Sequence, residues 1–336
     1  MRCLFSRALT FVSYWLGLDA LFYWLNRRAK RIVCFHSVLP DGLKMPGLAC
    51  GLDNTSKEFR MIVREIKKRF DISTDVLDPR AATLSFDDGF LNQYEVAARI
   101  LAEEGSVPAL LFVAGDMVGC EEAGQSIIVE QLLAWVSYVP SQFLSRLRDW
   151  PGGNCVDCSN RLRVWGEIVR PAFVQDVVSV GQSTLSKLDA IYPMAKIYAT
   201  LPDEYLRLRM TGVNKSQMAE LVRRGWIIGW HTKSHFPLKS LSIEKQKSEL
   251  EPTEYVSREV MAYPYGDRQS VGGEAIEIVK GYGYKCALSF DSCPGEWLNR
   301  YYLPRMFLKP DKYAVHFELS GFKYFLRYHR LLPVWL

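Results

Sequence analysis

Two adjacent carboxylates and a pair of histidines four residues apart are the side chains in this sequence whose types and spacing suit catalysis. The carboxylates, Asp87 and Asp88, end a short apolar run over residues 83–86 and are followed at once by Gly89. A run of that length reads as a buried strand. Burying an unpaired carboxylate is expensive, so its end must hold something that wants negative charge. Gly89 offers a sharp turn that lets both side chains lean into one pocket. Asp and Gly are also ordinary turn residues, and a plain strand-to-turn junction is the competing reading. His231 and His235 follow a second apolar run over 225–230 and are two of only five histidines in 336 residues. Pro237 argues for a loop here over a continuing helix, which presents the pair on a strand-end turn. Two imidazoles and one carboxylate match a catalytic zinc site with a coordination position left for water. Two surface histidines, or a hydrogen-bonded pair, are the alternatives.

Taken in order, Ser85-Phe86-Asp87-Asp88-Gly89 and His231-Thr232-Lys233-Ser234-His235 resemble the first two signature motifs of the polysaccharide deacetylases (carbohydrate esterase family 4, the NodB-homology domain). Ala262-Tyr263-Pro264-Tyr265-Gly266 resembles the family's Pro-Tyr-Gly loop. The resemblance covers residues 31–310 with one long insertion. It implies a divalent metal, zinc first and cobalt or another divalent ion as variants, held by Asp88, His231 and His235. It makes Asp87 the general base, although the sequence alone permits the two aspartates to exchange roles. One branch of the family, found with exopolysaccharide and O-antigen biosynthesis, has a rearranged motif order that opens with an apolar strand and Tyr/Phe-His-x-Val. Phe35-His36-Ser37-Val38 fits that opening, which implies that His36 is the general acid, with His316 near the C-terminus as its competitor. The backbone N–H of Tyr265 is implied as an oxyanion donor. Arg305, in Leu303-Pro304-Arg305, is the candidate to orient the catalytic aspartate. The family's more usual arginine precedes the Pro-Tyr-Gly loop, where Arg258 is nearest but wrongly spaced, and its Asp-x-x-Asp-Trp-type motif is not evident.

The elements that must position these residues read as alternating strands and helices. Strands are expected over 31–36, ending in His36, and over 108–113, 260–263 and 285–290, and helices over 56–70, 94–104, 217–224, 242–250 and 274–280. The first of these helices carries one apolar stripe (Phe59, Ile62, Val63, Ile66, Phe70); Ser216 is the expected cap of the third. Such alternation argues for a parallel α/β fold, in which sites gather at the carboxyl ends of strands. With the resemblance, the expectation is a distorted (β/α) barrel of the NodB-homology type occupying 31–310, interrupted by a helical insertion over 116–214. Cys155 and Cys158 form a lone Cys-x2-Cys without the second pair a zinc ribbon needs.

Composition adds bounds. With 49% hydrophobic residues the chain can bury a large core, and a net charge of +5 gives no reason to expect nucleic acid. Eight irregularly spaced cysteines and the lack of a small-residue cleavage site point to a cytoplasmic protein. Residues 8–25 are apolar and aromatic, interrupted by Asp19 and flanked by basic residues. They read as a helix within a 1–30 segment that lies on a membrane surface or against the domain, with a true anchor as runner-up. The tail, 311–336, has a similar aromatic-basic character. Phe90, Tyr263 and Trp230 are candidates to stack on sugar rings, with burial in the core as the plainer reading. The expected activity is metal-dependent removal of N-acetyl groups from amino sugars of a polysaccharide or lipid-linked glycan. The rivals are a related hydrolase of O-acetyl or formyl groups, a non-catalytic glycan binder and a membrane-associated scaffold.

Overall fold

The computed structural model describes residues 2–151, 153, 157–179, 183–291 and 298–333. Cys155 of the Cys-x2-Cys pair lies outside them. Seven parallel strands form the centre: β1 (Arg31–Phe35), β2 (Ala81–Phe86), β3 (Leu110–Val113), β4 (Ile227–Trp230), β5 (Val260–Ala262), β6 (Cys286–Ser289) and β7 (Leu303–Pro304). They pair in chain order from β1 to β7. Just past β7 the sheet comes back to its start. Cys34 N–H donates to the Met306 carbonyl and Met306 N–H to the Ile32 carbonyl, both at 2.9 Å, so Val33 bridges Met306 in parallel. The sheet is thus a distorted (β/α) barrel, as the sequence led us to expect.

Alternate residues of each strand point to opposite faces. Ile32, Leu110, Phe112, Val260, Ala262, Leu288 and Leu303 pack together as the barrel interior. Their neighbours Val33, Phe35, Leu84, Phe86, Leu111, Val113, Ile228 and Met261 pack outward beneath the helices. That parity decides the site. Cys34 and His36 follow Ile32 in step, Arg305 follows Leu303, and Ser85 and Asp87 occupy the inward positions of β2, so all meet at the carboxyl end of the lumen.

The surrounding helices begin where local chemistry starts them. Thr55 and Glu58 form a reciprocal capping box at the head of α3 (Ser56–Lys67), whose apolar stripe is buried. The stretch expected as a helix over 94–104 opens with a π-helical turn, Gln93–Ala97, before Ala98–Glu103. The helix leading to β4 runs Lys215–Arg223 and is capped by Asn214, not Ser216, because the Asn214 side chain and Gln217 complete the box. Between β3 and β4 the chain makes a run of helices, including Ile128–Tyr138, Arg170–Ser179, Ser183–Ile191 and Asp203–Met210. Trp135, Val164, Phe173 and Leu188 bury their joint interior.

The N-terminal stretch is two helices, α1 (Arg2–Trp15) and α2 (Leu18–Leu25). They are broken at Gly17, whose φ of 71° only glycine adopts cheaply, with a bend of 76°. Among the described residues no single helix is long and apolar enough to cross a membrane, although this bent pair passes that test jointly. Its inner face packs on the C-terminal helices Lys312–Leu319 and Phe322–Tyr328, with Phe22, Phe317 and Phe322 in contact. Asp19, which interrupts the apolar run in sequence, is buried on that inner face. The outer face leaves Trp15, Leu16 and Trp24 more than 60% exposed.

Candidate active site

The mouth of the barrel holds two acidic centres side by side. In the first, Asp88, His231 and His235 place one ligand atom each within 4.8 Å of the others. Nε2 of His235 lies 3.2 Å, and Nε2 of His231 3.7 Å, from Oδ1 of Asp88. All three side chains are buried. The Ala262 carbonyl lies 2.7 Å from Nδ1 of His231, which assigns that nitrogen its proton and turns Nε2 toward the site. Asp88 Oδ1 is buried with no hydrogen bond of acceptable geometry, and so is Nδ1 of His235. Burial, reinforced by Glu130 and Asp87, pushes the Asp88 carboxyl well above its ordinary range. Burial likewise lowers both imidazoles, His235 further under the influence of His231. A buried carboxylate without a cation and two neutral imidazoles aimed at it form a donor set that fits a divalent metal ion.

The second centre already has its cation. Arg305 grips Asp87 with two parallel bonds, Nη1 to Oδ1 at 2.6 Å and Nη2 to Oδ2 at 2.8 Å. Burial alone would raise the Asp87 carboxyl. The guanidinium, helped by His231, more than reverses that and holds it well below the usual carboxylate range. Cys34 donates its thiol to Asp87 Oδ2 at 3.4 Å. His36 stands over the pair, its Nε2 4.0 Å from Asp87 Oδ2 and its ring stacked on Phe307. Burial brings the His36 pKa down to about 4, with Asp87 opposing. Cys34, His36 and Asp87 are close enough to hold a metal by spacing. Their chemistry does not suit one, because both Asp87 oxygens are taken by Arg305 and burial keeps the Cys34 thiol protonated.

The local backbone is bent to make this arrangement. Among the described residues, six that are not glycine have positive φ, and four of them are Asp88 (78°), Thr232 (64°), His235 (57°) and Tyr265 (60°). Such conformations cost on the order of 1–3 kcal/mol each and collect at functional sites. Gly266 closes the Pro264-Tyr265 loop, and a Cβ there would sit 2.3 Å from the Phe290 nitrogen. The loop sets the Tyr265 ring 5.0 Å from His235, with Arg170 stacked over it at 5.3 Å.

Of the residues singled out in the sequence, Asp87, Asp88, His36, His231, His235, Tyr265 and Arg305 line one pocket of about 360 Å³. His316 is elsewhere, buried between Glu65 and the Tyr23 hydroxyl, each 3.1 Å from a ring nitrogen. Arg258 is exposed and does not line the pocket. Phe90, Tyr263 and Trp230 are core residues, exposed by 1% or less. The aromatic walls are instead Trp165, Phe290 and Phe307, and the insertion also contributes Glu130 and Arg170. Sequence reading missed these, as it missed Gln93, whose amide donates to the carbonyls of both His36 and Asp87 and ties the two strand ends together.

No protein-family model matches the chain, and no curated protein does. Among solved structures it is similar to the Streptococcus pyogenes deacetylase PplD in complex with acetate. The identity is 13%, over 84% of this chain and 93% of that one, with a TM-score of 0.48. It is also similar to IcaB from Ammonifex degensii (14% identity, 87% and 98% covered, TM-score 0.45). A third is the BpsB deacetylase domain from Bordetella bronchiseptica (13%, 84% and 96%, 0.43).

Proposed function

We propose that this protein is a metal-dependent deacetylase of the NodB-homology type that removes N-acetyl groups from an amino sugar. The observation that carries the reading is the pairing of an uncompensated Asp88–His231–His235 centre with an Asp87 clamped by Arg305, in one pocket at the carboxyl end of a parallel barrel. A divalent ion in the first centre, zinc by preference for this donor set, would supply Lewis acidity toward the acetyl carbonyl and the attacking water. The chain's own residues supply the proton handling. Asp87, kept ionised and fixed in orientation by Arg305, accepts the proton of the attacking water. His36 is a neutral imidazole at pH 7, so it does not start as the acid. It takes up the proton from the Asp87 side, 4.0 Å away, and delivers it to the departing amine. The Tyr265 backbone N–H takes the oxyanion role in this reading. Phe290, Phe307 and Trp165 give apolar faces on which a sugar ring can lie.

The exposed outer face of α1 and α2, with Arg27 stacked 4.9 Å over Trp24, supports peripheral contact with a membrane. A cytoplasmic location belongs to the same proposal. The test is acetate release from N-acetylglucosamine oligomers by protein stripped of metal and then given zinc or cobalt, beside Asp87→Asn and His231→Ala. Metal-dependent release lost in both variants is the expected result. Tight metal binding without acetate release, but with release of formate or O-linked acetate from other sugars, would move the reading to the related hydrolases.

A further inference from the structure

A second cavity, of about 290 Å³, shares a wall with the catalytic pocket: Phe290, Arg305 and Phe307 line both. The two aromatic rings pack at 4.2 Å and form the partition. Beyond them the groove runs along the outside of β7 beneath the helix Phe322–Tyr328. It is walled by Met306, Tyr324, Tyr328 and Leu332 and edged by Lys30, Lys323 and Arg327, against one carboxylate, Glu318. Glu318 is paired with Lys323. The lining therefore combines carbon and ring surface with an excess of positive charge. The uncharged polar side chains of these walls are the Tyr324 and Tyr328 hydroxyls, and their charged ones are mostly cationic. An anion joined to a hydrocarbon suits them on both counts. The helix over the groove also presents Leu326 to solvent, and Leu331 beyond it is exposed too. It packs on α2, whose outer face is the exposed aromatic one.

We infer that this groove holds the phosphate-and-hydrocarbon end of an amphipathic substrate, a lipid-linked amino sugar whose sugar lies in the catalytic pocket. The inference rests on the deacetylase reading for the sugar and on the groove itself for the lipid. Because Phe290 and Phe307 line both cavities, a ligand lying across their rings would reach both. The cations sit on the groove side of that partition, where the phosphate of such a ligand would lie.

The test separates the two parts. Full-length protein is titrated with geranyl phosphate, with inorganic phosphate and with geraniol, and binding is read by calorimetry. Saturable one-to-one binding of geranyl phosphate, at least tenfold tighter than either fragment, is expected. It should weaken about tenfold in Arg327→Glu and in Tyr328→Ala, two surface-helix changes outside the catalytic pocket, and be unchanged in Asp88→Asn. In parallel, Arg327→Glu should raise KM for geranyl-phosphate-linked N-acetylglucosamine and leave acetate release from the free oligomers as it is. Absence of saturable binding, equal affinity in both groove variants, or geraniol binding as tightly as its phosphate overturns the inference. Acetate release from oligomers with no geranyl phosphate binding sinks the groove alone. Geranyl phosphate binding that the groove variants weaken, with no acetate released from any sugar, leaves the lipid groove standing and removes the deacetylase.

Discussion

Asp87 and Asp88 are neighbours in the chain and opposites in their surroundings. Both are buried at the same strand end. Asp87 meets a guanidinium at 2.6 and 2.8 Å and is held as a carboxylate. Asp88 meets two neutral imidazoles and the negative field of Glu130 and Asp87, and it is driven toward protonation. The backbone makes the difference: Asp87 continues the inward parity of β2, whereas Asp88 takes φ of 78° and is turned out of register toward the His231–His235 loop. A site that supplies a cation to one carboxylate and withholds it from the next has room for one metal, beside Asp88. That asymmetry supports the proposed assignment of Asp87 as base and Asp88 as ligand, which the sequence left open.

The sharpest way to break the contrast is to neutralise each carboxylate in turn. Asp87→Asn should lower turnover by about 10²–10⁴-fold, the range for losing a general base, while metal still binds. Asp88→Asn should abolish metal binding, measured as metal per protein after dialysis, and activity with it. Stability should move in opposite directions. In metal-free protein, Asp88→Asn relieves an uncompensated buried charge and raises the urea midpoint. Asp87→Asn strands Arg305 and lowers it. If both variants shift the midpoint the same way, the asymmetry is wrong.

Arg305 gives the next largest effect. Removing one partner of a buried pair costs about 3–5 kcal/mol, so Arg305→Met should destabilise by that order in denaturant titration. Much of the loss should return in Arg305→Met combined with Asp87→Asn. Arg305→Lys keeps the charge but not the two-pronged grip, and should fold well while turning over more slowly. A single arginine with no stability effect would mean that Asp87 has another source of compensation.

The barrel strands up to β6 and the candidate metal triad were legible because they are written locally: apolar runs, a strand-end Asp87-Asp88, histidines four apart. Arg305 was legible as a candidate and became decisive only through strand parity with Leu303, which the sequence contains once β7 is recognised as a two-residue strand. The pocket walls were not legible. Trp165, Glu130 and Arg170 come from an insertion whose helices show only their own stripes, and which of their side chains reach the site depends on how the insertion docks. The aromatic residues nearest the motifs in sequence were misleading for the same parity reason. Trp230 is an outward position of β4 and packs under the helices, whereas Phe290 and Phe307 extend past their strands into the mouth.

The pH response isolates the Asp87 side further. His36 has an ordinary pKa near 6.5 when unfolded and about 4 in the folded protein. The unfolded chain therefore binds the extra proton between those values, so stability is full above 6.5 and is lost as pH falls toward 4. His231 and His235, also held down by burial, add to the same window in metal-free protein. Asp87 does not, because its stabilisation is lost only below the ordinary carboxylate value. Asp88 and Asp19, whose carboxyls burial raises, work in the opposite direction, so the effect is read as a difference: on going from pH 7 to pH 5 the urea midpoint of the metal-free protein should drop further in the wild type than in His36→Gln. An equal drop in the variant would mean that His36 is not desolvated as the structure shows.

The smallest expected effect is the most economical discriminator between the two histidines. His316 is buried between Glu65 and Tyr23 beneath the terminal helices, and it bonds both. Glu65 keeps Lys68 at 2.6 Å when the imidazole is gone, so His316→Gln should cost on the order of 1 kcal/mol, about what one or two modest hydrogen bonds contribute. Acetate release should change less than twofold. His36→Gln should cost little stability at pH 7 and yet cut turnover by about 10²-fold or more, most steeply for substrates with poor leaving amines, since protonating the amine is the role assigned to His36. If the two variants exchanged these profiles, proton delivery would have to reach the mouth of the barrel from its terminal helices, and nothing in the packing around His316 offers such a path.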